Sequence, residues 1–326
     1  MCGQRRHNVS RLTTKLRAMW ARLESSQWWR VIGIVLMLSS LGLMGRALAL
    51  NLTQFKAVRV QFNLISLIIG LLLAWVALWM GTFAWGEIVR AMHPEVSYRD
   101  AINYHLVSIA AKYLPGLGWQ QVSKVFQLYR GGVPASQTWQ PVALELVLVI
   151  LVGLAIAVQI LSATRETIFG LVAAPGIKLG IAVLLWVCCA VAPTVVLRFA
   201  SIRRSEQTTA RDFLLHLWFA ELLDIIGWLS LGLSLWFTIR GLAPLPLDVL
   251  PYCIITLILS FVAGLAIVFV PNGFGVREAV MFTLLQSVLP VPSSIIVALT
   301  FRIISVLAEL LGVFPVLVKY IWRRQK

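Results

Sequence analysis

Charge is what this sequence has least of. Only 13% of its 326 residues are Asp, Glu, Lys or Arg, against about 25% in an average soluble domain. Together with 60% hydrophobic residues and a mean hydropathy of +0.87, this excludes an ordinary soluble domain and describes a polytopic membrane protein. Cysteine is scarce too. Cys2, Cys188, Cys189 and Cys253 show no CxxC or Cys/His spacing, so neither a disulfide framework nor a metal site is expected. Acids are rarer than bases, 13 against 28, for a net charge of +15. Many of the cations cluster at the chain ends and beside apolar spans, which fits positive-inside topology and anionic headgroups rather than a nucleic-acid partner. GxxxxGK[ST], HExxH and GxSxG are all missing, so the expectation is a protein without enzymatic chemistry, ATP use or cofactor. No long linker or low-complexity tract interrupts the chain. Residues 31–326 therefore read as a single transmembrane domain, preceded by a basic segment at 1–30.

The organising stretch is Lys112 to Arg130, KYLPGLGWQQVSKVFQLYR. Pro115 lacks a backbone donor, and Gly116 and Gly118 lose most entropy on becoming helical, so a helix arriving from Ala101 should break here. Backbone groups freed by such a break find no water in hydrocarbon, and the segment survives only buried in protein or lining a wet cavity. A second break is written at VPNGFGVRE, with Pro271, Gly273 and Gly275 ahead of Arg277 and Glu278. Two Gly/Pro-interrupted segments, one per half, point to a substrate site near the bilayer midplane.

Taken in order, the first thirty residues carry seven Lys/Arg against Glu24 alone. Val9, Leu12, Leu16, Met19, Trp20 and Leu23 share one helical face, as in a helix lying on a membrane surface. A cleaved secretory signal is the rival, since Ala47-Leu48-Ala49 resembles a cleavage site, but the basic region is too long and the apolar run too extended. Val31–Leu50 is the first span. Phe62–Trp85 is the second, followed by a polar connection holding Glu87, Arg90, His93 and Arg99. Ala101–Leu114 is half a membrane long and pairs with Gln120–Arg130 as a re-entrant hairpin, one long kinked span being the alternative. Spans follow at Val142–Leu161, Ile177–Phe199, Phe213–Ile239 and Val249–Val270, then the half-length Val276–Leu289 and a last span at Ser293–Ile321. The Lys/Arg bias, including Arg203, Arg204 and the terminal Arg323, Arg324 and Lys326, puts both termini in the cytoplasm. The fold expected is an all-α transmembrane bundle with two broken segments. A two-fold pseudo-repeat is suggested by a break, a base (Arg130, Arg277), a proline turn and a span with an acid (Glu145, Glu309).

Charges inside apolar spans cost at least about 2.5 kcal/mol each on insertion scales, so each is a functional-site candidate. Arg46 reads as snorkelling to an interface. Glu145, Glu221, Asp224, Arg302 and Glu309 lie deeper. Glu221 and Asp224, three apart, share a helical face and are candidate proton-coupling groups; a metal site built on these two acids alone is the weaker reading. Lys112, Arg130, Arg277 and Arg302 form a basic set suited to a lipid phosphate, Arg by its planar fork. The competing reading is that the charges pair across helices and only hold the bundle together. Arg130 and Arg277 are each expected beside one shared cavity with an acid partner such as Glu145, Glu278 or Glu309. Tyr113 and Trp119 flank the first break as interface anchors or as walls of a lipid path.

KYLPGLGW with Arg130 and Glu145 downstream, and PNGFGVRE with Arg302 and Glu309 downstream, resemble the paired blocks of the lysylphosphatidylglycerol synthase transmembrane-region family of flippase-like bacterial membrane proteins. The resemblance runs from about the first span to the end. It implies a membrane part that moves an aminoacylated phospholipid between leaflets; the cytoplasmic synthase half has no counterpart in these 326 residues, so aminoacylation is not carried over. It implies roles for Lys112, Pro115, Gly116, Gly118, Trp119, Arg130 and Glu145 in the first block. In the second it implies roles for Pro271, Gly273, Gly275, Arg277, Glu278, Arg302 and Glu309. Asn272 departs from the glycine expected at that turn. The resulting expectation is a bacterial inner-membrane flippase or transporter for an anionic phospholipid or lipid-linked intermediate. A non-transporting accessory subunit of a lipid- or glycan-modifying enzyme is the alternative.

Overall fold

The computed structural model describes Arg46 and residues 62–113, 118–163, 175–199, 209–266, 273 and 275–324. The surface helix at 1–30, the span Val31–Leu50 apart from Arg46, and Pro115, Gly116 and Pro271 lie outside the described residues. Among those described there are nine α-helices and no strand. They are α1 (Leu64–Met92), α2 (Tyr98–Ala111), α3 (Trp119–Arg130), α4 (Trp139–Ala163), α5 (Pro175–Phe199), α6 (Ala210–Arg240), α7 (Leu250–Ala266), α8 (Val276–Leu285) and α9 (Val291–Arg324). Six of the described helical segments are long and apolar enough to cross a membrane, and the chain is a multi-pass membrane protein.

Caps set several of the starts. The Asn63 side chain accepts from the Ser66 N–H, Ser97 from Asp100 and Thr209 from Asp212, each at 3.1 Å, satisfying amides that a helix start leaves free. At α8 the Glu278 carboxylate reaches back to accept from the Gly275 N–H at 2.6 Å.

α1 and α6 form the antiparallel centre. Ser234 donates to the Gly70 carbonyl near one end, and His216 meets Glu87 near the other. The outer surface is apolar, with Ile177, Leu179, Val183, Leu184 and Val187 of α5 exposed, the inverse of a soluble protein and the surface a lipid environment needs. One expectation is corrected here. α1 does not stop near Trp85 but continues to Met92, because Glu87, read as part of a polar connection, is buried and takes His216 Nδ1 at 2.5 Å and Arg90 at 3.8 Å.

The two breaks form two hairpins. α2 starts beside the C-terminal end of α1, and α3 returns toward that end, where Gln127 Nε2 donates to the Tyr104 carbonyl at 3.0 Å. This is the re-entrant pair, not one long kinked span. α7 starts at the opposite end of the bundle and α8 returns there, its Leu284 carbonyl accepting from the Tyr252 hydroxyl at 2.6 Å. The hairpins thus enter from opposite ends, and Gly118 of one and Gly273 of the other border the same cavity inside the bundle. A two-fold correspondence between the halves is not evident.

Candidate functional site

A cavity of about 570 Å³ lies between the two hairpins, bordered by Gly118 of the first and Gly273 of the second. Both glycines hold left-handed backbone, φ 59° and 60°, conformations that a side chain disfavours. Gly273 is also enclosed, since a Cβ there would sit 2.8 Å from the Gly264 Cα. The walls are largely apolar, from Leu78, Ile109, Val149, Trp228, Phe261 and Phe301. Four cations and four carboxylates interrupt them: Lys112, Lys124, Arg277 and Arg302, with Glu145, Asp224, Glu278 and Glu309.

Three ion pairs tie this ring together. Lys112 Nζ lies 2.5 Å from Glu309, whose other oxygen accepts from the Tyr113 hydroxyl at 2.5 Å, so the first tip is bound to α9. Lys124 Nζ donates to both Glu145 oxygens at 2.6 Å and sits 4.3 Å above the Trp85 ring, joining α3 to α4. His105 Nδ1 is 3.5 Å from the same carboxylate. Arg302 lies 3.4 Å from Glu278, binding the second tip to α9. Because Arg302 and Glu309 are seven residues apart, two helical turns, one face of α9 holds both tips.

Two charged groups on the wall stand apart. Arg277 lies over the Phe261 ring at 3.9 Å, its stem against Gly264; it makes no ion pair or hydrogen bond among the described residues, and its Nε is buried without a partner. Asp224 is 7% exposed, borders the cavity and likewise makes no hydrogen bond or ion pair among the described residues.

The structure thus gathers Lys112, Gly118, Trp119, Glu145, Asp224, Gly273, Arg277, Glu278, Arg302 and Glu309 around one space. Gly275 supports it from behind through Glu278. Three expectations are corrected. Arg130 is exposed, with its guanidinium 5.8 Å from the Phe126 ring, because six residues on an α-helix turn it about 120° away from Lys124. Arg277 borders the cavity but makes no ion pair with an acid among the described residues. Glu221 is buried off the cavity wall with Oε1 unpartnered, so it does not share the surface presented by Asp224. Lys124 and His105 were not singled out by sequence reasoning as members of the site. The available signal was the four-residue spacing of Lys124 and Leu128, the two buried residues of the amphipathic α3. Among the described residues no three His, Cys, Asp or Glu side chains converge as a metal site.

Such an arrangement can surround a polar group with charge-assisted donors and acceptors inside an apolar shell. Compared with known proteins, the chain matches no family model and no curated protein sequence.

Proposed function

We propose that this protein is a lipid flippase or lipid-linked-intermediate transporter of a bacterial inner membrane, working without chemistry of its own. The observation that carries the reading is the charged cavity between two broken hairpins entering from opposite ends. Broken helices deep in a bundle satisfy freed backbone in a polar cavity, and this is the architecture transporters use to hold a polar substrate at the midplane. A headgroup sits among the charged residues while its acyl chains stay in lipid. The resemblance of KYLPGLGW and PNGFGVRE to the flippase-like family points the same way.

The basic residues support an orientation. Arg90, Arg99, Arg130 and Arg211 lie at or near helix ends gathered at the end where the first hairpin enters, against Lys178 and Arg240 at the other. By the positive-inside rule the first end faces the cytoplasm, together with the α9 terminus. Arg203 and Arg204, expected on the same side, lie outside the described residues.

The test is reconstitution of the full chain in liposomes with fluorescent phospholipid, read by dithionite quenching. Wild-type protein exposes inner-leaflet probe to quenching. Arg277→Ala leaves folded protein and abolishes lipid movement, because Arg277 makes no ion pair or hydrogen bond among the described residues whose loss would strand a carboxylate. If Arg277→Ala lowers abundance and movement in parallel, the residue is structural and the accessory-subunit reading replaces transport.

A further inference from the structure

The cavity wall is formally balanced, four cations against four carboxylates. Three of each neutralise one another at 2.5–3.4 Å. Of these eight side chains, Arg277 and Asp224 are the two that make no ion pair or hydrogen bond among the described residues. A buried charge without a partner costs several kcal/mol even after relaxation, so a guanidinium and a carboxyl group left open on one wall are matched by a ligand that brings the opposite charge to each.

We propose that this cavity takes a zwitterionic headgroup, a phosphodiester joined to a primary ammonium, with Arg277 facing the phosphate and Asp224 the ammonium. The proposal rests on the transport reading and names its substrate class. A purely anionic headgroup would satisfy Arg277 but place its phosphate in a cavity where the Asp224 carboxylate stays unpaired. A quaternary ammonium has no N–H to donate, so it fails to complete the Asp224 oxygens. Selectivity of this kind comes from the group left unsatisfied by the wrong ligand. The cavity is of a size that suits such a headgroup, within the roughly 300–1,000 Å³ range of small-molecule sites, and its largely apolar walls leave room for the first acyl methylenes.

Arg277 is placed for this role by its surroundings. Gly264 leaves space for its stem, and the guanidinium lies over the face of the Phe261 ring, with no ion pair or hydrogen bond from its fork among the described residues. Asp224 is carried by the central α6, on a different wall from α8. A ligand bridging the two therefore links the second hairpin tip to the core of the bundle.

Binding is measured on the detergent-solubilised full chain by competition among short-chain phosphatidylethanolamine, phosphatidylglycerol and phosphatidylcholine, with glycerophosphoethanolamine as the soluble form of the same chemistry. Wild-type protein prefers the ethanolamine lipid by about tenfold or more, the scale of one satisfied buried charge. Asp224→Asn, which keeps shape and removes charge, abolishes the difference between the ethanolamine lipid and phosphatidylglycerol, weakening the first and relieving the penalty on the second. Asp224→Glu retains the preference, separating loss of charge from loss of fold. Equal competition by glycerophosphoethanolamine supports the charge pairing and assigns its source to a soluble amine phosphate. A wild-type preference for phosphatidylglycerol, or no preference among the three lipids, overturns the proposal. The liposome assay is read separately: lipid movement without headgroup preference leaves the transport reading standing while this inference falls, and headgroup preference without movement does the reverse.

Discussion

The two hairpin tips solve the same problem differently. At the first, both cations are neutralised within the protein: Lys112 by Glu309, and Lys124 by Glu145. The tip is therefore locked to α9 and α4, and its glycine, Gly118, stands open, with only Gln121 Oε1 3.7 Å from where a Cβ would be. At the second tip Arg302 neutralises Glu278, and Arg277 lies over the Phe261 face with no ion pair among the described residues. Here the backbone is tight, Gly273 against Gly264. One tip is held by charge and the other by close packing, which leaves a cation available to something other than protein.

The largest expected effect breaks the charge lock of the first tip. Lys124→Met leaves the half-buried Glu145 carboxylate without its main partner and lowers unfolding free energy by about 3 kcal/mol, the low end for a broken buried pair, measured by denaturant unfolding in mixed micelles. Adding Glu145→Leu removes the stranded acid and recovers most of that loss; a double variant as unstable as the single one would show that the pair is not the lock. Next comes the packing of the second tip. Gly273→Ala meets both the left-handed penalty of roughly 1–2 kcal/mol and a backbone collision with Gly264, so it destabilises by more than that penalty alone. Gly118→Ala, with the same φ but open space, costs only about 1–2 kcal/mol; equal losses at the two positions would erase the distinction drawn between the tips. The smallest effect is at Arg130. Arg130→Ala changes stability by no more than about 0.5 kcal/mol, as for an exposed side chain, and leaves lipid movement at the wild-type rate in the dithionite assay.

The elements were legible in the sequence where local chemistry dictates them. Proline and glycine at 115–118 and 271–275 interrupt any helix, and the segments flanking the first break are too short to span a membrane, so a broken hairpin there follows from backbone chemistry. Glu145, Arg302 and Glu309 stood out because a charge within an apolar run is costly on insertion scales. Lys124 was hidden because α3 is polar enough along its length that one more cation carries no such signal. Arg130 was misassigned because a sequence records that a base follows the break but not which side of a short helix faces inward.

Composition and the Gly/Pro interruptions by themselves determined a membrane bundle with two breaks, since hydrocarbon tolerates unsatisfied backbone nowhere else. Only the tertiary structure decided how the charges are shared. Arg277 and Glu278 are adjacent in sequence, yet α9 presents Arg302 to Glu278 and leaves Arg277 on the aromatic face of α7. Glu221 and Asp224 are separated by about 60° around α6, and the packing of neighbouring helices leaves only Asp224 on the cavity. Charge type is local information, but pairing depends on which helix arrives opposite, and that is set by the packing of the whole bundle.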